Sequence, residues 1–231
     1  MQPDAEVRVS VIIPVHNGAK YLAQAIESVL AQELAAHEII VVDDGSTDQS
    51  AAIAGGFGNP VRVFRQTKHG PGAARNAGVR AATGAYLAFL DADDLWAPAK
   101  LARQMAAFET IPGLDVVFTH VRNFHSPDLT AAQRERISCP PEAMPGMIPS
   151  TLLLHTASFI PFAENLAVGE LIPWLGRVKD LNLKVHLLPE VLVSRRLHET
   201  NLGRSARDRR RDYLVAVKEV FDRRRKPGGE S

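Results

Sequence analysis

Strand-like and helical stretches alternate through the first hundred residues, and this alternation limits the folds open to the chain more than any other feature. Val9-Ser-Val-Ile-Ile-Pro-Val15, Glu38-Ile-Ile-Val-Val42 and Tyr86-Leu-Ala-Phe-Leu90 are short apolar runs of strand length, and residues 61–65 make a further strand. Between the first two, Leu22, Ile26, Val29 and Leu30 fall at three- and four-residue spacings. They form an apolar stripe expected to pack on a sheet, with Lys20, Gln24 and Glu27 turned outward. Asp43-Asp-Gly-Ser-Thr-Asp48 supplies turn and capping chemistry ahead of a short helix over residues 49–54. Lys68-His-Gly-Pro-Gly-Ala-Ala-Arg-Asn-Ala-Gly78 opens another helix, which stops at Thr83-Gly84. Strands joined by helices imply parallel crossovers and a doubly wound sheet, whose ligands lie beyond the carboxyl ends of its strands. His16-Asn17, Asp43-Asp44 and the acids at 91–94 sit at three such ends, so one cleft is expected to gather them.

The last of these clusters is the most pointed. The run from Tyr86 reads as a strand covered on both faces, and it stops at three carboxylates, Asp91, Asp93 and Asp94. Three acids in four residues repel one another unless a cation or a helix end offsets them. Charged oxygens hold magnesium or manganese against water, and the cation in turn binds phosphate. The other reading is a surface turn that caps the next helix.

Pro98 begins a helix through about Phe108, with Leu101, Met105 and Phe108 as its stripe, and residues 116–121 read as a strand. Residues 123–150 hold five prolines and little periodicity, so a long loop with one helical turn is expected there, lying over the active site. Residues 169–178 look helical despite Pro173, and residues 184–188 and 191–195 resemble two short strands. Tyr213, Leu214, Val217, Val220 and Phe221 form the apolar stripe of a final helix.

Charge is unevenly placed along this chain of net charge +1: residues 204–226 carry +6 and the remainder −5. Such a tail is either a solvated helix face or a contact for an anionic membrane surface, and nucleic-acid binding is not expected. The single cysteine, Cys139, excludes an internal disulfide and a cysteine-rich zinc site, and fits a reducing compartment. The polar first eight residues lack a secretory pattern, and no apolar run is long enough to span a bilayer. The expectation is a cytoplasmic protein, with the inner membrane face as a place of peripheral contact.

Five ordered pieces carry a more specific likeness: Val9-Ser-Val-Ile-Ile-Pro-Val-His-Asn17, Glu27-Ser-Val-Leu-Ala-Gln32, Val41-Val-Asp-Asp-Gly-Ser-Thr-Asp48, Gly70-Pro-Gly-Ala-Ala-Arg-Asn-Ala-Gly78 and Leu90-Asp-Ala-Asp-Asp94. In this order and spacing the chain closely resembles the family 2 glycosyltransferases, and a looser likeness over residues 166–201 extends the match. The resemblance implies the GT-A fold, an α/β architecture with a Rossmann-like, mostly parallel central sheet flanked by helices. It also implies transfer of a sugar from a nucleotide diphosphate sugar, UDP-sugar favoured, to an unknown acceptor. The glycosyltransferase domain is expected over residues 1–203, with a nucleotide-sugar half to about 122 and an acceptor half over 123–203. A basic helix and tail, 204–231, follow.

The same resemblance assigns roles. Pro14, His16, Asp43 and Asp44 would hold the nucleobase and ribose, as a carboxylate suits a uracil imide N–H; turn formation is the alternative for the two acids. Arg75 would sit near the nucleotide, where its planar fork pairs with oxygen acceptors, or else it is a solvated helix charge. Asp91, Ala92 and Asp93 look like the family signature, with Asp91 facing the donor and Asp93 ligating manganese or magnesium. Arg195-Arg-Leu-His198 resembles the late histidine segment, making His198 a second ligand or a structural histidine, while Arg195 and Arg196 hold phosphate or fix the loop. Many relatives carry several acids near residues 170–173, one of which acts as general base. Here Glu170 remains, but Leu171 and Pro173 replace the others, and a proline disfavours a regular helix. Glu170 is thus the candidate base, and a nucleotide-sugar-binding protein without transfer activity is the rival reading.

Overall fold

Residues 8–166, 168–201, 212, 214–218 and 220 are described in the computed structural model of the protein. Most of the basic stretch, with Tyr213 and Phe221 of the expected final helix, lies outside them. Strands β1 (Val9–Val15), β2 (Glu38–Asp44), β3 (Val61–Gln66) and β4 (Tyr86–Phe89) alternate with helices α1 (Leu22–Leu30), α2 (Ser50–Gly55) and α3 (Pro71–Ala81). The strands pair in the order β3-β2-β1-β4, all parallel. Each residue of β1 and β2 is buried, as both faces of this sheet are covered by helices or other packed chain. Side chains alternate between the two faces. Val9, Val11 and Ile13 join Leu22, Ile26 and Val29 on one side, and Ile12 joins Ile40, Leu87 and Phe89 on the other.

After β4 come β5 (Leu95–Trp96), α4 (Lys100–Thr110), β6 (Val116–His125), α5 (Ala131–Arg136), β7 (Met144–Gly146), β8 (Leu153–His155), α6 (Leu171–Asp180) and β9 (Val185–Leu197). These extend the same sheet as β4-β8-β6-β9-β5, with β7 on β6. The longest of the added pairings, β6 with β9, is parallel; the others are short and antiparallel. The sheet is therefore mostly parallel by length. Residue 122, expected to divide the two halves, lies inside β6, so both halves share one sheet.

Several local expectations need correction. Leu30 is 45 % exposed, and Ala25 completes the buried stripe of α1. Successive helical residues turn by about 100°, and Leu30 falls beyond the edge of the stripe that Leu22, Ala25, Ile26 and Val29 present to the sheet. Residues 123–150 are not one loop: β6 runs to His125, Thr130 and Gln133 form a capping box that starts α5, and β7 adds an edge strand in which Pro145 is tolerated. The two expected strands near 184–195 are one, β9. Its pairing with β6 passes from Leu188 to Val191, leaving Pro189 and Glu190 in a bulge, where a residue lacking an N–H costs no ladder bond. Pro173 occupies the first turn of α6, whose N–H groups have no intrahelical partner in any case. In the described part of the final helix Leu214 is 71 % exposed and Val217 is also exposed, whereas Ala216 is buried. No helix among the described residues is long and apolar enough to cross a membrane.

A lysine is enclosed within this framework. Lys100 is fully buried, its Nζ 2.7 Å from Gln104 Oε1 and 3.9 Å from the centroid of the Trp96 ring. Burial pushes its pKa well below the ordinary lysine value.

Candidate active site

The carboxyl ends of β1, β2 and β4 share one edge of the sheet, and side-chain hydrogen bonds bind the first two loops together. The Asn17 side chain accepts from Thr47 N at 2.8 Å, and Asn17 N donates to Ser46 Oγ at 2.9 Å, joining the β1 and β2 ends. A Cβ placed on Gly18 would lie 3.5 Å from that of Ala92, so the β1 end also meets the acidic turn. Pro14 is buried in β1 beside Val42. His16 Nδ1 lies 2.9 Å from the Asp44 carbonyl and its Nε2 2.9 Å from Lys68 Nζ.

Asp43 and Asp44 reach this edge, but their carboxylates are engaged internally. Asp43 accepts from Ser46 N at 2.9 Å and Arg65 Nε at 3.1 Å, and Asp44 accepts from Gln66, His69 N and Gly70 N, each at 2.8 Å. Both are buried. Asp44 thereby shapes the loop that leads to α3, with Gly70 at φ 97°, a left-handed value open chiefly to glycine, and Pro71 in the first turn.

Helix α3 carries Arg75 to the acidic turn. It can lie close because Gly72 and Gly78 lack side chains: a Cβ at Gly72 would fall 2.2 Å from the Ala163 carbonyl oxygen, and one at Gly78 2.4 Å from Ile12 Cγ2. Arg75 is not a solvated helix charge. Its guanidinium is buried and bridges Asp91 Oδ1 and Glu170 Oε1, each at 2.5 Å. Burial acts to lower the Arg75 pKa, but the charges of Asp91 and Glu170 outweigh it and hold the group above its ordinary value. Glu170, just ahead of α6, is thus brought within one guanidinium of the acidic turn. Leu171 and Pro173, where acids are expected in relatives, are buried instead, alongside Trp174.

The three acids take three different positions. Asp91 is the most open, with its side chain 34 % exposed, and its N–H donates to Ser150 Oγ at 3.1 Å. That hydroxyl donates to Asp94 Oδ2 at 2.7 Å, while Asp94 Oδ1 accepts from Arg196 N at 3.1 Å. Burial, with the charges of Asp93 and Asp91, pushes the Asp94 carboxyl well above the usual carboxylate range. Asp94 ties the turn together and does not cap α4, whose N-cap is Ala99.

Asp93 meets His198. Its Oδ2 lies 2.8 Å from His198 Nε2 and 3.0 Å from Asn201 Nδ2. Arg196, from β9, secures the meeting: its Nε donates to the Asp93 carbonyl at 2.9 Å, and its guanidinium lies over the Tyr21 and Phe124 rings. It fixes the loop, whereas Arg195 is exposed.

No group of three His, Cys, Asp or Glu side chains that could enclose a metal converges among the described residues. The donor set nevertheless fits a divalent cation completed from outside. Adjacent ligands of an octahedral magnesium or manganese lie about 3 Å apart, and such ions are commonly held by one or two protein ligands plus phosphate oxygens and water. Asp93 Oδ2 and His198 Nε2 match that spacing, and a carboxylate with an imidazole suits manganese.

Ser150, Asn201 and Lys68 belong to this site and carry no motif of their own. Ser150 lies in the proline-rich stretch, and the only trace of Asn201 is its place three residues after His198.

With the geometry established, the comparisons are specific. The Glycosyl transferase family 2 model matches residues 10–162, well over half of the chain. A glycosyltransferase of Nostoc sp. is 46 % identical over 108 residues, covering 45 % of this chain and 34 % of its own. The chain therefore spans about a third of the length of that relative. Among solved structures, S. aureus TarS 1–349 in complex with UDP-GlcNAc superposes with a TM-score of 0.72 at 24 % identity, over 93 % of this chain and 66 % of the 1–349 chain. The mannosyltransferase PcManGT of Pyrobaculum calidifontis, in complex with GDP-Man and Mn2+, gives 0.68 at 16 % identity, over 96 % and 66 %. The GT-A architecture expected from the sequence is the fold of these neighbours. The chain belongs to glycosyl transferase family 2.

Proposed function

We propose that the chain is the catalytic domain of a metal-dependent, inverting glycosyltransferase that uses a nucleotide diphosphate sugar, UDP-sugar favoured. The observation that carries the reading is the convergence of Asp93 and His198, 105 residues apart, beside Asp91 and within one guanidinium of Glu170. Neighbouring folds hold UDP-GlcNAc in one case and GDP-Man with Mn2+ in another, which supports a nucleotide donor and a cation.

Asp93 and His198 would hold the cation, and Asp91 would face the donor. When the glycosidic bond breaks, the electron pair leaves with the diphosphate, and a cation stabilises that charge more in the transition state than before it. Pro14, His16, Asp43, Asp44 and Ala92 would form the wall for base and ribose, the two acids chiefly by shaping the loops. Arg75 would orient Asp91 and Glu170. The acceptor hydroxyl would attack the anomeric carbon in line, opposite the departing diphosphate, and its proton would pass to Glu170. Arg75 occupies Oε1, which leaves Oε2 as the accepting atom. The exposed Leu214 and Val217, within a +6 stretch, support peripheral contact with an anionic membrane and hence a position at the inner membrane face.

A donor panel tests the reading. Nucleoside diphosphate release with Mn2+, and the anomeric configuration of the product by proton NMR, should show transfer with inversion. Saturable nucleotide binding with neither transfer nor donor hydrolysis across broad acceptor pools would favour a binding protein instead.

A further inference from the structure

His198 Nδ1 lies 2.9 Å from Thr200 Oγ1, while Asn201 makes three bonds that wrap the same turn. Asn201 Nδ2 donates to Asp93 Oδ2 and to the Arg196 carbonyl, each at 3.0 Å, and its Oδ1 accepts from His198 N at 2.6 Å. We propose that Thr200 and Asn201 are positioning residues that let the Asp93–His198 pair exchange its hydrogen bond for a divalent cation. The proposal rests on the metal-site reading above.

The reason lies in the hydrogen inventory. An ionised carboxylate only accepts, so in the Asp93–His198 hydrogen bond Nε2 carries the hydrogen, and Nδ1 of a neutral ring then accepts from the Thr200 hydroxyl. A cation at Nε2 needs the lone pair there, so the ring hydrogen must sit on Nδ1 and be donated. A hydroxyl both donates and accepts, and by rotating about its C–O bond Thr200 serves either tautomer in place. A backbone carbonyl would serve one tautomer and an ammonium only the other.

Asn201 supplies what must not change. None of its three bonds uses the Nε2 hydrogen, so they persist when Nε2 leaves Asp93. Oδ2 then stays aimed at the same point, held from the side by Nδ2. Partners of this kind, bonded to the ligands and not to the metal, set ring orientation and commonly change metal affinity by about 10–100-fold when removed.

The test measures Mn2+ binding in the presence of UDP, from the loss of the electron paramagnetic resonance signal of free Mn2+. The forms compared are the parent, Asp93→Ala, Thr200→Val, Thr200→Ser and Asn201→Ala. Thr200 is exposed, so its variants keep the fold even where Asn201→Ala does not. Thr200→Val and Asn201→Ala should each weaken binding about tenfold or more, while Thr200→Ser, which keeps the hydroxyl, binds like the parent. With Mg2+ and UDP in place of Mn2+, long-range proton–nitrogen NMR of the parent should show the His198 hydrogen moving from Nε2 to Nδ1. Parent binding that Asp93→Ala abolishes but Thr200→Val and Asn201→Ala leave unchanged overturns this inference and spares the metal site. A parent that binds no Mn2+, or an Asp93→Ala variant that binds as the parent does, overturns the metal site itself.

Discussion

Arg75 Nη1 and Glu170 Oε1 lie 2.5 Å apart across 95 residues of sequence, and the second amine of the same guanidinium reaches Asp91. The donor-side acid and the candidate base are therefore one connected unit. Glutamine at 170 can still accept a hydrogen bond from Arg75 but cannot take a proton from an acceptor hydroxyl. Glu170→Gln should lower transfer by about 10²–10⁴-fold, in the range of general-base contributions, with donor affinity close to the parent's and a lower melting temperature, because the buried Arg75 loses one of its two counter-charges. Steady-state kinetics with equilibrium UDP binding decides it. Turnover within tenfold of the parent means that Glu170 only anchors Arg75.

Ser150 joins the first and last acids through one buried hydroxyl. Ser150→Ala leaves Asp91 N and Asp94 Oδ2 without that partner, which should cost about 1–3 kcal/mol of stability. Denaturant unfolding measures the loss, and weaker UDP binding should accompany it as the Asp91 turn loosens. Unchanged stability and binding would show that the hydroxyl is dispensable.

The position of Arg75 depends on the absence of a side chain at Gly72. An added methyl would meet a backbone carbonyl, which cannot rotate away, so Gly72→Ala should shift α3 and destabilise the fold by about 1–3 kcal/mol. Arg75 would move with the helix. A variant as stable and active as the parent contradicts the close approach.

The alternation of β1 to β4 with α1 to α3 was legible because apolar runs, turn residues and helical spacing all agreed. The acidic turn at residues 91–94 was equally plain as chemistry. What the three acids do individually was not, because their roles depend on Ser150 and Arg196, which approach from distant segments. His198 was placed beside a metal only through the family likeness; no local pattern relates it to Asp93. Asp43 and Asp44 show the reverse limit, since the motif marked them while their oxygens are largely taken by Arg65, Gln66 and backbone N–H groups. Residues 169–178 read as helical despite Pro173, which sits in the first helical turn, whereas the two short strands expected at 184–188 and 191–195 are one strand, with Pro189 in its bulge.

Lys100 makes a prediction about pH. Burial holds its native pKa below the unfolded value, so between those two values the unfolded chain binds the proton and the folded chain does not. Stability gained from this group therefore rises with pH across that window, and the cost is fully present below it. Lys100→Met removes the dependence. The stability difference, variant minus parent, should fall as pH rises towards the ordinary lysine range, measured by denaturant midpoints at several pH values. A pH-independent difference contradicts a depressed Lys100.

The central claim is that Asp93, with His198, holds a cation that serves sugar transfer. Nucleoside diphosphate release from a UDP-sugar in the presence of Mn2+, compared between the parent and Asp93→Ala, tests it most directly. The parent should turn over with Mn2+ and stop when the ion is chelated, and Asp93→Ala should be slower by about 10²-fold or more, as befits loss of leaving-group stabilisation. Equal turnover by the two proteins would contradict it.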